Sequence, residues 1–225
     1  MGTGSVKSLA TILLLAASTA LAEPALTLRV AHDVSRNQYW LLQRDGVYLY
    51  DATTQALKRR YELPGWLYVR NRYACAPDLA VDARGAAVIS SNITPVLWRV
   101  DPAKAEVTMH ELVLDADNDK DVGFSGLVYA ADQEAFFAVS STQGSLWRID
   151  SLLRRGQKIP VSTSLKSTCG LALDRTKTRR TLVLCARGGE GTRAVHLAPD
   201  QRSAYVRPDA CSSSNEMKEV LWAKR

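Results

Sequence analysis

Two segments of the chain are near-copies of each other, SLWRID at 145–150 and VLWRVD at 96–101, and VYLYD at 47–51 echoes them more loosely. Each begins 49 residues after the one before. A recurrence at this period limits the possible folds more than any composition does. A single small unit of this length cannot bury both of its faces, so it has to stack against further copies of itself.

Each echo closes a longer shared pattern: an apolar segment, a turn, a second apolar segment, then the echoed words. The copies read VAHDVSRNQYWLLQRDGVYLYD from 30, LAVDARGAAVISSNITPVLWRVD from 79 and LVYAADQEAFFAVSSTQGSLWRID from 127, with a fainter fourth, LALDRTKTRRTLVLCARGGEGTRAVHL, from 171. A further alternating stretch such as AEVTMHELVL (105–114) follows the echo. Three or four short strands per unit, joined by tight turns and repeated every 44 to 50 residues, predict an all-β, β-propeller-like domain of about four recognisable blades. Four blades leave three readings open: a small ring, one blade hidden in the irregular parts, or an incomplete ring. Trp98 and Trp147 fall at equivalent places in a third strand and are read as packing between blades. Asp51, Asp101 and Asp150 end those strands and are read as turn-formers that accept from nearby backbone amides.

The N-terminus has a different logic. Lys7 precedes an apolar run from Leu9 to Leu21 that ends Ala20-Leu21-Ala22, the pattern of a secretory signal peptide processed after Ala22, and the run is short for a membrane span. The expected division is a signal peptide at 1–22, a propeller-like domain at 23–211 and a tail at 212–225 that is a short helix or a closing strand. That tail carries a capping box, Ser213 to Glu216, and an apolar stripe of Met217, Val220 and Leu221. The protein is therefore expected in the periplasm or secreted, without a membrane span. The net charge of +6 is mildly basic. Its cations lie in small groups, Lys58-Arg59-Arg60, Arg154-Arg155 and Lys177 with Arg179-Arg180, read as solvated residues near turns and strand ends, with an anionic glycan, lipid or protein surface as the alternative. Nucleic acid is not expected as a partner outside the cytoplasm.

The segment APDLAVDARGAAVISSN (76–92) followed by VLWRVDP resembles the SMP-30/gluconolactonase family and its strictosidine-synthase-like and NHL-repeat relatives, whose blades read P-D-G-L-A-V-D followed by a turn. The resemblance is specific at 77–85 and 124–150. It implies a propeller with a divalent cation in the central channel, held by acidic and Asn side chains, which polarises a lactone carbonyl and activates water. Asp78 stands at the P-D-G position, with Leu79 where Gly belongs. Ser125 in FSGL and Cys169 in TCGL stand where other ligands would be. Asp78 and Ser125 are thus the candidates for a channel site, in a set poor in ligands, and no catalytic residue is assigned.

Asp115, Asp117, Asp119 and Asp121 in DADNDKDVG alternate as hard oxygen donors of the kind calcium takes, but Lys120 and Gly126 depart from an EF-hand loop. A solvated acidic loop is the other reading. ARGGEG (186–191) reads as a hairpin loop.

All four cysteines, Cys75, Cys169, Cys185 and Cys211, lie beyond the signal, and an even count in an oxidising compartment predicts two disulfides. If LALD and TLVLC form a hairpin centred on Lys177, Cys169 opposes Cys185 and Cys75 is left for Cys211. Cys75 with Cys169 across the channel mouth is the alternative pairing. The functional expectation is a non-enzymatic exported binding or scaffold protein engaging a periplasmic or extracellular protein and using no cofactor. The alternative is a divergent metal-dependent hydrolase of the lactonase type, using calcium or another divalent cation. The oligomeric state is left open.

Overall fold

The computed structural model describes residues 26–69, 75–116, 122–174, 183–188, 191–200 and 202–207. They form a four-bladed β-propeller of antiparallel sheets. Blade 1 comprises β1 (Thr27–Asp33), β2 (Gln38–Gln43), β3 (Gly46–Asp51) and β4 (Leu57–Tyr61). Blade 2 comprises β5 (Leu79–Val81), β6 (Ala87–Ser90), β7 (Val96–Asp101) and β8 (Glu106–Glu111). A two-residue strand, β9 (Val113–Leu114), follows. Blade 3 comprises β10 (Gly126–Ala130), β11 (Ala135–Ser140), β12 (Ser145–Asp150) and β13 (Arg155–Ile159). Blade 4 comprises β14 (Thr168–Leu173), β15 (Val183–Gly188), β16 (Gly191–Leu197) and β17 (Ala204–Arg207). In every blade the strands pair in sequence order, as a chain of hairpins.

Because side chains alternate across a strand, each inner strand serves two neighbours at once. From blade 2, Ile89, Trp98 and Val100 join Trp40, Leu42 and Leu49 of blade 1, while Val88 and Leu97 join Phe136 and Trp147 of blade 3. From blade 3, Phe137, Val139 and Leu146 turn the other way, onto Leu184 and Val195 of blade 4. This is why AFFAVS is buried at every position. Trp98 and Trp147 therefore do fill equivalent sites, each in the core shared with the preceding blade. Among the described residues there are three such cores, one for each junction between consecutive blades.

The aspartates that end the third strands cap the following turns, as their position predicts. Asp51 accepts from the amides of Thr53 and Thr54 at 3.0 and 2.9 Å. Asp101 accepts from Ala103 at 2.9 Å, and Asp150 from Leu152 at 2.9 Å. The hairpin reading of ARGGEG also holds, with Gly188 opposite Gly191. Lys58-Arg59-Arg60 departs from expectation: these residues occupy the middle of the outermost strand β4, where charge discourages edge-to-edge pairing.

Strand β9 was not legible in the repeat. It leaves blade 2 and pairs in parallel with β13, giving the sheet of blade 3 a fifth strand. The next linker repeats the manoeuvre in miniature, Val161 bridging in parallel to Ala204 of blade 4. Each of these linkers thus stitches one blade to the outer strand of the next.

The segments expected to be a signal peptide (1–22) and a C-terminal tail (212–225) lie outside the described residues. Among the described residues, no helix is long and apolar enough to cross a membrane.

Candidate functional site

The first strand of each blade lines the middle of the ring. Asp78, Ser125 and Cys169 occupy corresponding positions at the starts of β5, β10 and β14, and Arg29 on β1 reaches the same place. The structure joins them directly. Arg29 Nε donates to Asp78 Oδ1 at 3.1 Å, and an Arg29 Nη donates to the carbonyl of Cys169. Asp78 Oδ1 also accepts from its neighbour Leu79 N at 2.9 Å, and Oδ2 accepts from Leu127 N of blade 3 at 2.8 Å. One carboxylate therefore links blades 1, 2 and 3, and the guanidinium beside it carries the connection to blade 4.

Ser125 performs the same kind of task with a neutral group. Its hydroxyl donates to the carbonyl of Thr168 at 2.7 Å, tying blade 3 to blade 4. Ser90, at the end of β6, donates to Phe124 O at 2.7 Å and accepts from the amide of Asp78 at 2.9 Å, tying blade 2 to blade 3. Gly126 follows Ser125 because the strands are so close here: a Cβ on it would lie 2.8 Å from the Gly170 carbonyl carbon and 2.9 Å from Leu171 N.

Cys75 and Cys169 close the same region from above with a disulfide, their Cα atoms 4.9 Å apart. Asn92 steadies it by donating to the carbonyl of Cys75 at 3.0 Å. This overturns the expected pairing of Cys169 with Cys185. The hairpin register is the reason: Ala172, not Cys169, opposes Cys185, and an irregularity between Thr168 and Gly170 displaces Cys169 from the ladder. With Cys169 bound to Cys75, the expected Cys75–Cys211 bond is excluded too. Cys185 is itself disulfide-bonded, and Cys211 lies outside the described residues.

Burial pushes the Asp78 carboxyl above the usual carboxylate range, while Arg29 and the two amides pull it the other way. The divalent cation implied by the SMP-30 resemblance does not fit these residues. Both oxygens of Asp78 already accept from donors, a fixed guanidinium stands beside it, the Ser125 hydroxyl is spent on a carbonyl, and the Cys169 sulfur is in a disulfide. Of the acidic loop, Asp115 is described and accepts from the amide of Lys158 at 2.7 Å, while Asp117, Asp119 and Asp121 lie outside the described residues. Among the described residues, no three His, Cys, Asp or Glu side chains gather as a metal-binding group. Arg29 was missed in the sequence, where its one signal is a lone cation inside the apolar strand TLRVAHD.

Four twisted sheets around a cross-linked centre define a β-propeller. No known family and no curated protein matches the sequence. Solved structures do. The hydrazine synthase of Kuenenia stuttgartiensis is matched at 12% identity with a TM-score of 0.58, covering 84% of this chain and 51% of that one. The virginiamycin B lyase of Staphylococcus aureus is matched at 14% and 0.56, covering 76% and 52%. The Dos1 propeller is matched at 13% and 0.54, covering 80% and 46%. The chain spans about half the length of these proteins. At such identities the likeness concerns the fold alone.

Proposed function

We propose that the chain is an exported scaffold of SMP-30-like descent that binds a protein partner on its surface, its former metal position given over to holding the ring together. The observation that carries this reading is the Arg29–Asp78 pair. The carboxylate that would serve a cation in a lactonase-like relative is satisfied by a guanidinium and backbone amides from three blades. A hydrolase needs that carboxylate free to change partners during turnover. Here an exchange of partners would leave the buried Leu127 amide without its acceptor and the partly buried Arg29 without its counter-charge.

The partner surface is best supported on blade 1. Arg44 stacks over Tyr68 at 5.6 Å, the Trp66 indole donates to Arg44 O at 2.9 Å, and Leu67 between the two aromatic residues stands exposed. An arginine and aromatic side chains around an exposed leucine are the composition of an interface centre, and the basic charge favours an acidic partner. The test captures partners of the purified protein from a periplasmic or secreted extract, beside an Arg44→Ala/Tyr68→Ala variant that leaves the ring centre intact. A protein retained by the first and lost with the second supports the reading. Lactone turnover that depends on added calcium and disappears in Asp78→Ala would replace it with the hydrolase.

A further inference from the structure

We propose that the C-terminal segment 208–225 fills the flank between blades 4 and 1, latched there by a disulfide between Cys185 and Cys211. The proposal does not depend on the identity of any partner. The chain has four cysteines, Cys75 is bonded to Cys169, and Cys185 is disulfide-bonded, which leaves Cys211 as its partner.

The sheet register fixes where that bond places the tail. Cys185 lies opposite Ala194, and Ala194 lies opposite Arg207, the last residue of β17. The chain thus leaves the sheet two strands from Cys185, about 10 Å away, and the four steps from Arg207 to Cys211 reach about 13 Å. Opposed residues share a face, so the sulfur of Cys185 projects from the face opposite the core shared with blade 3. The tail has just enough length to fold back across that face.

The face is covered. Val183, Cys185, Ala194 and His196 retain 2%, 0%, 3% and 8% of their exposure, yet none belongs to the three cores between described blades. Blade 1 presents the matching surface. In register, Tyr48 of β3 occupies the place of Trp98 in β7, and Leu41 beside it that of Ile89, so both face the side on which a preceding blade would pack. Leu41 is only 2% exposed and also lies outside the three cores. Beyond Cys211 the tail carries Met217, Val220, Leu221 and Trp222, apolar side chains suited to the two apolar walls.

The test uses the purified full chain made in an oxidising compartment. Non-reducing peptide mapping is expected to give a peptide joining Cys185 to Cys211. A Leu221→Lys/Trp222→Lys variant, which retains the latch, is expected to speed amide exchange at least tenfold at Val183–Cys185, Ala194–His196 and Leu41, leaving the core between blades 2 and 3 unchanged. Cys211→Ser should do the same at blade 4. The proposal is overturned if Cys185 maps to another residue, if the lysine variant leaves those amides as protected as before, or if the chain is a dimer whose dissociation exposes them, which would make a second copy the occupant.

Discussion

Arg29 and Asp78 are paired at 3.1 Å across 49 residues of sequence, and Asp78 meets the amide of Leu127 after a further 49. Both separations equal the period of the repeat. The Arg29–Asp78 bond therefore connects corresponding positions of blades 1 and 2, while Leu127 lies two residues beyond Ser125, the blade 3 counterpart of Asp78; each blade lends its first strand to the same small hub.

Removing one member of that hub should cost more than removing two. Asp78→Ala leaves Arg29 without its counter-charge and the Leu127 amide without an acceptor, and should lower stability by about 3–5 kcal/mol, whereas Arg29→Met/Asp78→Leu should recover the part due to the uncompensated guanidinium, the amide staying unpaired in both. Urea unfolding of the three proteins measures the difference. A double variant as unstable as the single one would contradict this account of the pair.

Trp147→Ala should cost about 3–5 kcal/mol, and Trp98→Ala a similar amount, since each fills a core between blades. Their indole N–H groups add specificity, that of Trp98 donating to Pro64 O and that of Trp147 to Ser145 Oγ, both at 2.8 Å. Equilibrium unfolding followed by tryptophan fluorescence reads both variants.

These two residues show what the sequence could reveal. Trp98, Trp147 and the capping aspartates recur with the period, and their roles are local to a strand or a turn, so pattern alone places them. Arg29 breaks the pattern once, and its partners lie 49 and 140 residues away. Periodicity relates Arg29 to Asp78 but does not show that the two pair, and nothing periodic points to Cys169. The cysteine pairing failed for a related reason: hairpin arithmetic needs the centre of the turn, and the ladder of β14 and β15 is offset from a turn centred on Lys177, so that Cys185 falls opposite Ala172.

Gly126→Ala should destabilise the junction of blades 3 and 4, because the added methyl would meet the backbone of Gly170 and Leu171, which cannot swing aside as a side chain could. A drop of about 1–3 kcal/mol is expected. Gly170→Ala is the control, since its Cβ would meet nothing within 4 Å.

Replacing Cys75 and Cys169 by serine should remove about 4–5 kcal/mol, the loop-closure entropy for a separation of 94 residues. Unfolding of the oxidised protein and the double variant, both at neutral pH, gives the number.

Asp33 supplies an acid-side dependence. Burial pushes its carboxyl up, but the Ser35 hydroxyl at 2.7 Å and Arg36 outweigh burial and hold it below the usual 3.8. A carboxyl lowered in the folded state contributes stability above its unfolded pKa and loses it as pH falls through the folded value. The stability gap between the natural protein and Asp33→Asn should therefore be constant near neutrality and close below about pH 4. Asp78, shifted the opposite way, is present in both proteins and cancels in the comparison. Thermal unfolding at a series of pH values checks the sign.

Strand β9 belongs to the second repeat by sequence and to the third sheet by hydrogen bonding. Genetic shuffling that cuts where the repeat ends would therefore carry off a piece of the neighbouring sheet. Duplication, deletion or grafting of a blade should succeed only when the cut falls inside a hairpin, so that each transplanted unit brings the outer strand it completes along with the strands it begins.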